Sequence, residues 1–334
     1  MKLYLLRLIA FSLIFTATAA DATVIKIATL SPDGTSWMKK MRMAATQIAR
    51  RTNDRVKIKY YPGGVMGDES AILRKMRINQ LQGAAVTSGS LTHYFKDADI
   101  YGLLFLFKSQ DEVNYVRQHM DHLIIQGLKD KGLVAYGLAE SGFAYILSNQ
   151  VTKSVADLHN EKVWIPDTAA ARDAARAFNI NTIPLPISDV LAGLQTSLVD
   201  TIATSPIGAI ALQWHTQVKY LTDMPLSYGW GTLVISDKTI KKLSKEDQAI
   251  MQDVMSATFK DIDAQNQKDN IAAFAALKNQ GITFISPDKK QREEWLALAK
   301  RSHLQLIKNG FNSKAMYDLV NKLIADYHQK KNNP

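Results

Sequence analysis

The chain contains no cysteine in its 334 residues. Disulfides, a thiol nucleophile, thiolate metal ligands and a lipid-modified N-terminal cysteine are therefore excluded. Common catalytic motifs are also missing, because the sequence has no G-x-S-x-G, no P-loop and no G-x-G-x-x-G. His119 and His122 lie one helical turn apart, but no third metal ligand accompanies them. We therefore expect neither an enzyme nor a protein that carries a metal or another cofactor.

Long apolar runs are missing except at the N-terminus. Residues 1–22 start with Lys2 and Arg7, continue with an apolar core over residues 8–15 and end in small residues. This order is typical of a cleaved secretory signal peptide, and the run is short for a membrane span. An uncleaved anchor or a buried N-terminal helix is the alternative. We expect export to the periplasm and a soluble mature chain.

Acidic residues are fewer than basic ones, which gives a formal net charge of +10. Without residues 1–22, which carry Lys2, Arg7 and Asp21, the net charge is +9. The basic residues are dispersed, and no nucleic-acid recognition motif accompanies them, so we expect no binding to nucleic acid. A basic surface favours anionic ligands, membrane headgroups or an acidic partner.

Strands and helices alternate along the rest of the chain. Over residues 24–90 the order β-α-β-α-β predicts a parallel sheet, with ligands at the carboxyl ends of the strands, at residues 31–34, 62–67 and 87–90. The strand order indicates that the chain passes from one domain to another near residue 140 and returns near residue 230. This predicts one domain of residues 23–140 with 231–334 and a second of residues 141–230, joined by two hinge strands. A capping pattern, Ser244-x-x-Asp247, precedes a helical pattern of about 35 residues, which spans roughly 50 Å and exceeds one small domain.

Several short segments follow one another in the order of a known family. Residues 61–67 match Y-P-x-x-x-L-G, and residues 87–91 resemble S-S-G-S-L. Residues 194–196 and Asp200 match their positions in A-L-Q-T-G-x-x-D-G, and residues 243–248 resemble L-P-x-E-D-Q. In these segments the chain resembles the DctP-type solute-binding proteins of TRAP (tripartite ATP-independent periplasmic) transporters. The resemblance implies an α/β, two-domain fold like that of periplasmic binding proteins, with two hinge strands and a long helix that spans both domains. It also implies capture of a small-molecule ligand by cleft closure and delivery to TRAP membrane subunits, through which alone the protein contacts the membrane.

Three departures from the family pattern concern the ligand. The strand K-I-R-V-P, whose Arg binds the ligand's carboxylate in the family, has Trp164 at the position of this Arg. Ser205 or Thr204 replaces the Asn of D-G-x-E-N-P, and residues 140–145 bring no cation. An arginine binds a carboxylate through two parallel hydrogen bonds, whereas an indole offers one N–H and an apolar face. We therefore predict an apolar or amphipathic ligand.

Two alternatives stay open at this point. One is an organic acid held by a relocated cation, for which the candidates are Arg172, Arg74 and Arg176. The other is a different class of protein, namely the ligand-binding module of a periplasmic sensor or a periplasmic enzyme.

The candidate ligand-binding residues lie in the predicted strand ends, hinge strands and aromatic positions. They are Trp164, Thr87, Ser88, Ser205, Glu140, Trp37, Glu69, Trp214 and Arg172, and Ser90, Tyr228 and Trp230 lie in the same regions. Each aromatic residue taken alone is more often a core residue, and the hydroxyl residues alternatively cap turns. We expect Trp164→Ala to weaken ligand binding with little effect on folding.

Overall fold

The computed structural model describes residues 22–332. The predicted signal peptide lies outside the described residues, apart from Ala22. Within the described part, no helix combines the length and the apolar character needed to cross a membrane.

Strands and helices alternate through the described chain. The strands are β1 Thr23–Thr29, β2 Val56–Tyr61, β3 Gly83–Thr87, β4 Leu133–Ala135, β5 Ala139–Ser148, β6 Val163–Pro166, β7 Thr182–Leu185, β8 Thr201–Thr204, β9 Tyr220–Ser236 and β10 Thr283–Ile285. The helices are α1 Ser36–Arg51, α2 Glu69–Arg77, α3 Ser88–Leu91, α4 Gln110–Asp130, α5 Val155–Leu158, α6 Ala169–Phe178, α7 Val190–Gln195, α8 Pro206–Ala211, α9 Asp237–Ile240, α10 Lys245–Asn279, α11 Lys289–Lys308 and α12 Lys314–Asn332. Short 3-10 helices lie at Lys96–Gly102, Ile187–Asp189 and Trp214–Gln217.

The described strands form one continuous sheet with the order β2-β1-β3-β9-β5-β8-β6-β7, and β4 and β10 also pair with β9. Strands β1, β2 and β3 are mutually parallel, as the β-α-β-α-β pattern predicts. We call the part built on β1–β3 the first lobe and the part built on β6–β8 the second lobe. The antiparallel pair β5 and β9 lies between them and belongs to both.

The two shared strands carry irregularities where they pass from one lobe to the other. The β5–β9 register shifts between Glu140 and Gly142 and again between Ala144 and Ile146. Gly142 has φ +86°, and a Cβ there would lie 2.6 Å from Nδ2 of Asn270. Glycine is therefore required at this point by both the left-handed backbone and the close approach of α10.

Helix α10 runs along both lobes. Its 35 residues span about 52 Å at the usual rise per residue, and it packs on α1 of the first lobe and on β5 and α8. Ser244 caps its start by accepting from the N–H of Asp247. The Asp247 carboxylate does not return to residue 244 but binds Arg55, with 2.7 Å from Nη2 to Oδ1.

The hydrophobic core is divided in the same way as the sheet. In the first lobe, alternate residues of β1 point to opposite faces, so Ile25 and Ile27 join one buried cluster and Ala28 joins another. In the second lobe, one cluster surrounds Trp164 and Trp214, and another surrounds Phe178 and Trp295.

The last third of the chain differs from the predicted division. The sequence pattern predicts that residues 231–334 as a whole belong to the first domain. However, β10 pairs with residues 220–222 of β9, and α11 packs on α6, both at the second lobe. Only α12 returns to the first lobe, where it packs on α4. A helix as long as α10 carries the chain from one lobe to the other, so the elements after it begin at the far end. The other predicted bounds stay predictions.

Candidate functional site

A cleft of about 530 Å³ lies between the two lobes. Its first-lobe wall includes Glu69 at the start of α2, Thr87, Ser88 and Ser90 at the end of β3, and Asp99 in the 3-10 turn that follows. Its second-lobe wall includes Trp164, Phe178, Ser205, Trp214 and Trp295. The strand ends of the first lobe are where a parallel sheet places a ligand, as expected for residues 87–90.

Glu69 holds the turn after β3 in place. It accepts hydrogen bonds from the Thr87 N–H at 2.8 Å, from the Thr87 hydroxyl at 2.7 Å and from the Ser90 hydroxyl. Burial raises the pKa of Glu69, and these hydrogen bonds oppose the increase because they favour the ionised form. Glu69 and Thr87 thus line the cleft, but their hydrogen bonds are made to each other.

Asp99 is a wall residue that sequence reasoning missed. The Ser88 hydroxyl donates to its Oδ1 at 2.5 Å. Burial raises the pKa of Asp99 to about 6, and the bond from Ser88 opposes the increase. Asp99 lies in a stretch that matches no motif. Only the 3-10 turn Lys96–Gly102 brings its carboxylate next to the end of β3, so no sequence signal could have found it.

Trp164 lies in the second-lobe wall and is at the same time a core residue. Its side chain is 6% exposed and packs edge-to-face against Trp214, with ring centroids 5.2 Å apart. Its indole N–H donates to the carbonyl oxygen of Leu185 at 3.0 Å. Because the Trp164 N–H is already bonded, this indole pair adds apolar surface to the cleft lining. The buried ring and its hydrogen bond predict instead that Trp164→Ala also destabilises the fold.

Ser205 lies in the cleft lining at the start of α8. Its Oγ accepts from the Gly208 N–H at 3.2 Å and caps the helix. Capping is the alternative to ligand binding for a hydroxyl residue, and a serine before a proline is well placed for it. Because Oγ acts as an acceptor in the cap, the hydroxyl proton of Ser205 stays available.

Three predicted site residues are not brought to the cleft wall. Trp37 packs on the first-lobe core beside α10. Arg172 is exposed and pairs with Asp167, which lines the cleft, but Arg172 itself is not part of the lining. Glu140 is 2% exposed and lies behind the cleft, between β5, α4 and α10. Helix and strand periodicity turns these side chains away from the opening, which strand-end reasoning alone does not reveal.

The other relocated-cation candidates also lie elsewhere. Arg74 is exposed on α2, and Arg176 pairs with Asp173 at 2.7 Å. Within residues 22–332, Lys96 and His93 are the basic residues of the cleft lining, whereas Asp68, Glu69, Asp99 and Asp167 are its acidic residues. In the same described part, no group of three or more His, Asp or Glu side chains is arranged to hold a metal.

Glu140 belongs to a buried hinge network, which consists of Gln110, Arg117, Glu140, Tyr228 and Asp263. Glu140 accepts from the Tyr228 hydroxyl at 2.8 Å and from Gln110 at 2.8 Å. Arg117 donates to Asp263 at 2.9 Å and to the Tyr228 oxygen at 3.1 Å. Burial raises the pKa of Glu140, against the effect of the bond from Tyr228. Tyr228 also lines the cleft, so the network connects the shared strands with the site.

Two lobes that share two strands and enclose a cleft are the architecture of a protein that binds a small molecule between its lobes. Residues 27–309 match the model of the bacterial extracellular solute-binding proteins of family 7 (DctP), and the chain belongs to this family. The predicted family is thereby confirmed. The family consists of solute-binding proteins, in agreement with the expectation that the chain is not an enzyme.

Individual relatives extend over nearly the whole chain. The sialic acid-binding periplasmic protein SiaP of Vibrio cholerae is 22% identical over 316 residues, which cover 92% of this chain and 94% of SiaP. Among solved structures, a TRAP periplasmic solute-binding protein of Haemophilus influenzae with bound L-gulonate has a TM-score of 0.82 at 21% identity, covering 90% of this chain and 98% of that one. Another, from Xanthobacter autotrophicus with bound β-D-galacturonate, has a TM-score of 0.82 at 17% identity, covering 90% and 99%. These similarities confirm the predicted two-domain α/β fold.

Proposed function

We propose that this protein is the periplasmic subunit of a TRAP transporter, which captures a small ligand by cleft closure and delivers it to the membrane subunits. Family membership and the cleft between two lobes that share β5 and β9 support this role. The N-terminal sequence supports export. Contact with the membrane is then indirect, through the partner subunits.

We further propose that the ligand is apolar or amphipathic. The observation that carries this proposal is the indole pair of Trp164 and Trp214, which stands where the family pattern has a carboxylate-binding Arg. The Trp164 N–H is used by Leu185, so the pair presents an apolar surface. Phe178 and Trp295, whose ring centroids lie 5.9 Å apart, also line the cleft. Apolar area of this kind favours a ligand whose own apolar surface is removed from contact with water when it binds.

An organic acid is the second candidate ligand. The related proteins from Haemophilus influenzae and Xanthobacter autotrophicus hold L-gulonate and β-D-galacturonate, which are both sugar acids. In this chain Lys96 is the cation of the cleft lining best suited to such a ligand, since Arg172 is not part of the lining and its charge is paired with Asp167. A lysine offers a point charge rather than the two parallel hydrogen bonds of an arginine.

Identification of the co-purified ligand tests the ligand class. The exported protein is purified without denaturation, its bound molecules are released by denaturation, and mass spectrometry identifies them. We expect an apolar or amphipathic compound. Recovery of sugar acids or small dicarboxylates alone would overturn the apolar proposal.

Calorimetry with the acids of the relatives provides the complementary test. We expect no measurable binding of L-gulonate, D-galacturonate or D-glucuronate to the wild-type protein. Tight binding of one of these acids, lost in Lys96→Ala and retained in Arg172→Ala, would establish the second candidate instead. Uptake assays with the membrane subunits, with and without this protein, test the transport role independently of the ligand class.

A further inference from the structure

The turn after β3, in the first-lobe wall of the cleft, presents hydrogen-bond acceptors. The hydroxyl protons of Thr87 and Ser90 are donated to Glu69, and that of Ser88 is donated to Asp99. The lone pairs of these hydroxyl oxygens and the two carboxylates remain available to accept hydrogen bonds. A ligand group at this wall therefore binds well when it donates a hydrogen bond, and badly when it carries a negative charge.

Asp99 occupies a niche formed by two glycines. A Cβ on Gly102 would lie 2.7 Å from Oδ1 and 2.8 Å from Oδ2 of Asp99, and a Cβ on Gly89 would lie 3.9 Å from Oδ2. The carboxylate thus lies where it does because residue 102 has no side chain. Within residues 22–332, Oδ1 accepts from Ser88, and no hydrogen bond to Oδ2 is formed. Asp99 lines the cleft, and its Oδ2 keeps its capacity to accept a hydrogen bond from a ligand.

Trp230 gives an independent indication of a ligand at the same end of the cleft. Its side chain is 1% exposed and lines the cleft, yet its indole N–H has no hydrogen-bond partner within the described chain. Buried donors without a partner are rare in folded proteins. The next residue, Gly231, pairs with Thr87, which directly precedes the Ser88 that binds Asp99. An acceptor supplied by a ligand would satisfy this N–H.

We propose that the cleft recognises an uncharged head group that donates one hydrogen bond to Asp99 and accepts one from the Trp230 N–H, as a hydroxyl or a primary amide does. A carboxylate has no proton to donate and would face the charges of Asp99 and Glu69, whereas an ammonium group has no lone pair for Trp230. This inference rests on the proposed apolar ligand, whose body lies along the second-lobe wall, and adds the polarity of its head.

Four probes with the same phenylpentyl body separate the possible head groups. They are phenylpentanol, phenylpentanamide, phenylpentanoate and phenylpentylammonium, and their affinities for the full mature protein are measured by calorimetry at neutral pH. We expect the alcohol and the amide to bind about tenfold or more tightly than either charged probe, because a site built for hydrogen bonding rejects analogues that leave its groups unpaired.

Variants assign this preference to the two residues. Asp99→Asn removes the charge and should reduce the alcohol-to-acid ratio to about threefold or less. Gly102→Ala keeps the charge but displaces the carboxylate, and should weaken binding of the alcohol about fivefold. Trp230→Phe should weaken the alcohol about fivefold and leave the ammonium probe unchanged. Asp130→Asn, the same chemical change at the far end of α4, is the matched control and should leave all ratios as in the wild type.

The outcomes separate this proposal from the one on which it rests. Tightest binding of the acid or the ammonium probe, or an unchanged alcohol-to-acid ratio in Asp99→Asn, would overturn the head-group assignment while leaving an apolar ligand intact. Failure of all four probes to bind would overturn the apolar ligand and this proposal with it. If Gly102→Ala does not fold, as judged by circular dichroism, Asp99→Asn and Trp230→Phe decide the question.

Discussion

Trp164 contributes to the stability of the second lobe as well as to the cleft, and this double role leads to a quantitative prediction. The ring is 6% exposed, its edge-to-face partner Trp214 lies 5.2 Å away, and its N–H is bonded to Leu185 at 3.0 Å. Truncation of a buried tryptophan to alanine costs about 3–5 kcal/mol, which includes the cavity that remains. We expect Trp164→Ala to lower the free energy of unfolding by this amount. Trp164→Phe should lower it by about 1–2 kcal/mol, because it keeps an aromatic ring but loses the hydrogen bond.

The assay is urea unfolding followed by circular dichroism, with ligand binding measured by calorimetry on those variants that remain folded. Trp164→Phe is the informative variant for binding, since its fold is retained and its contact surface is reduced. Trp37→Phe, outside the cleft, is the matched control and should bind as the wild type does. A loss below about 1 kcal/mol in Trp164→Ala would refute the reasoning, because it would mean that the Trp164 ring is not packed as a core residue.

Two further predictions concern buried charges. Arg117→Ala should lower the free energy of unfolding by about 3–5 kcal/mol in urea titrations, because it leaves the carboxylates of the hinge network unpaired. Arg172→Ala, which removes an exposed pair, should change it by less than about 0.5 kcal/mol, and equal effects would contradict this argument. His303 is buried, and burial lowers its pKa below the usual 6.5, although its bond to the Leu104 carbonyl oxygen acts in the opposite direction. The unfolded chain therefore takes up a proton that the folded chain resists, so the stability contributed by His303 is present above about pH 6.5 and lost as the pH falls below it. We expect the loss between about pH 7.5 and 5.5 to be smaller in His303→Gln than in the wild type, and identical losses would exclude His303 as a cause.

Much of the fold could be predicted because it follows from local patterns. The alternation of strands and helices over residues 24–90 predicts the parallel sheet of the first lobe, and helix α10 has nearly the bounds that its capping pattern and periodicity indicate. The family was recognisable for the same reason, since its motifs are short contiguous segments. By contrast, the lobe to which β10 belongs depends on pairing with a strand some sixty residues away, which no local pattern encodes.

The site shows the same limit at the level of single side chains. The absence of a cationic clamp could be read from Trp164, and the hydroxyl turn after β3 could be read from its position at a strand end. The sequence does not reveal which of these groups still has a free donor or acceptor. Glu69 accepts the hydroxyl protons of Thr87 and Ser90, which lie about twenty residues further along the chain.

The class of protein, the alternation of elements and the loss of the family's arginine can be predicted from the amino-acid sequence, because each depends on contiguous residues. The packing of distant segments places Asp99 and Trp230 in the cleft lining and leaves Trp37, Arg172 and Glu140 out of it. No local pattern predicts these positions, because hydrogen-bond partners and burial depend on which distant segments pack together. The polarity of a binding site is the sum of those contacts rather than a property of the residue types that line it.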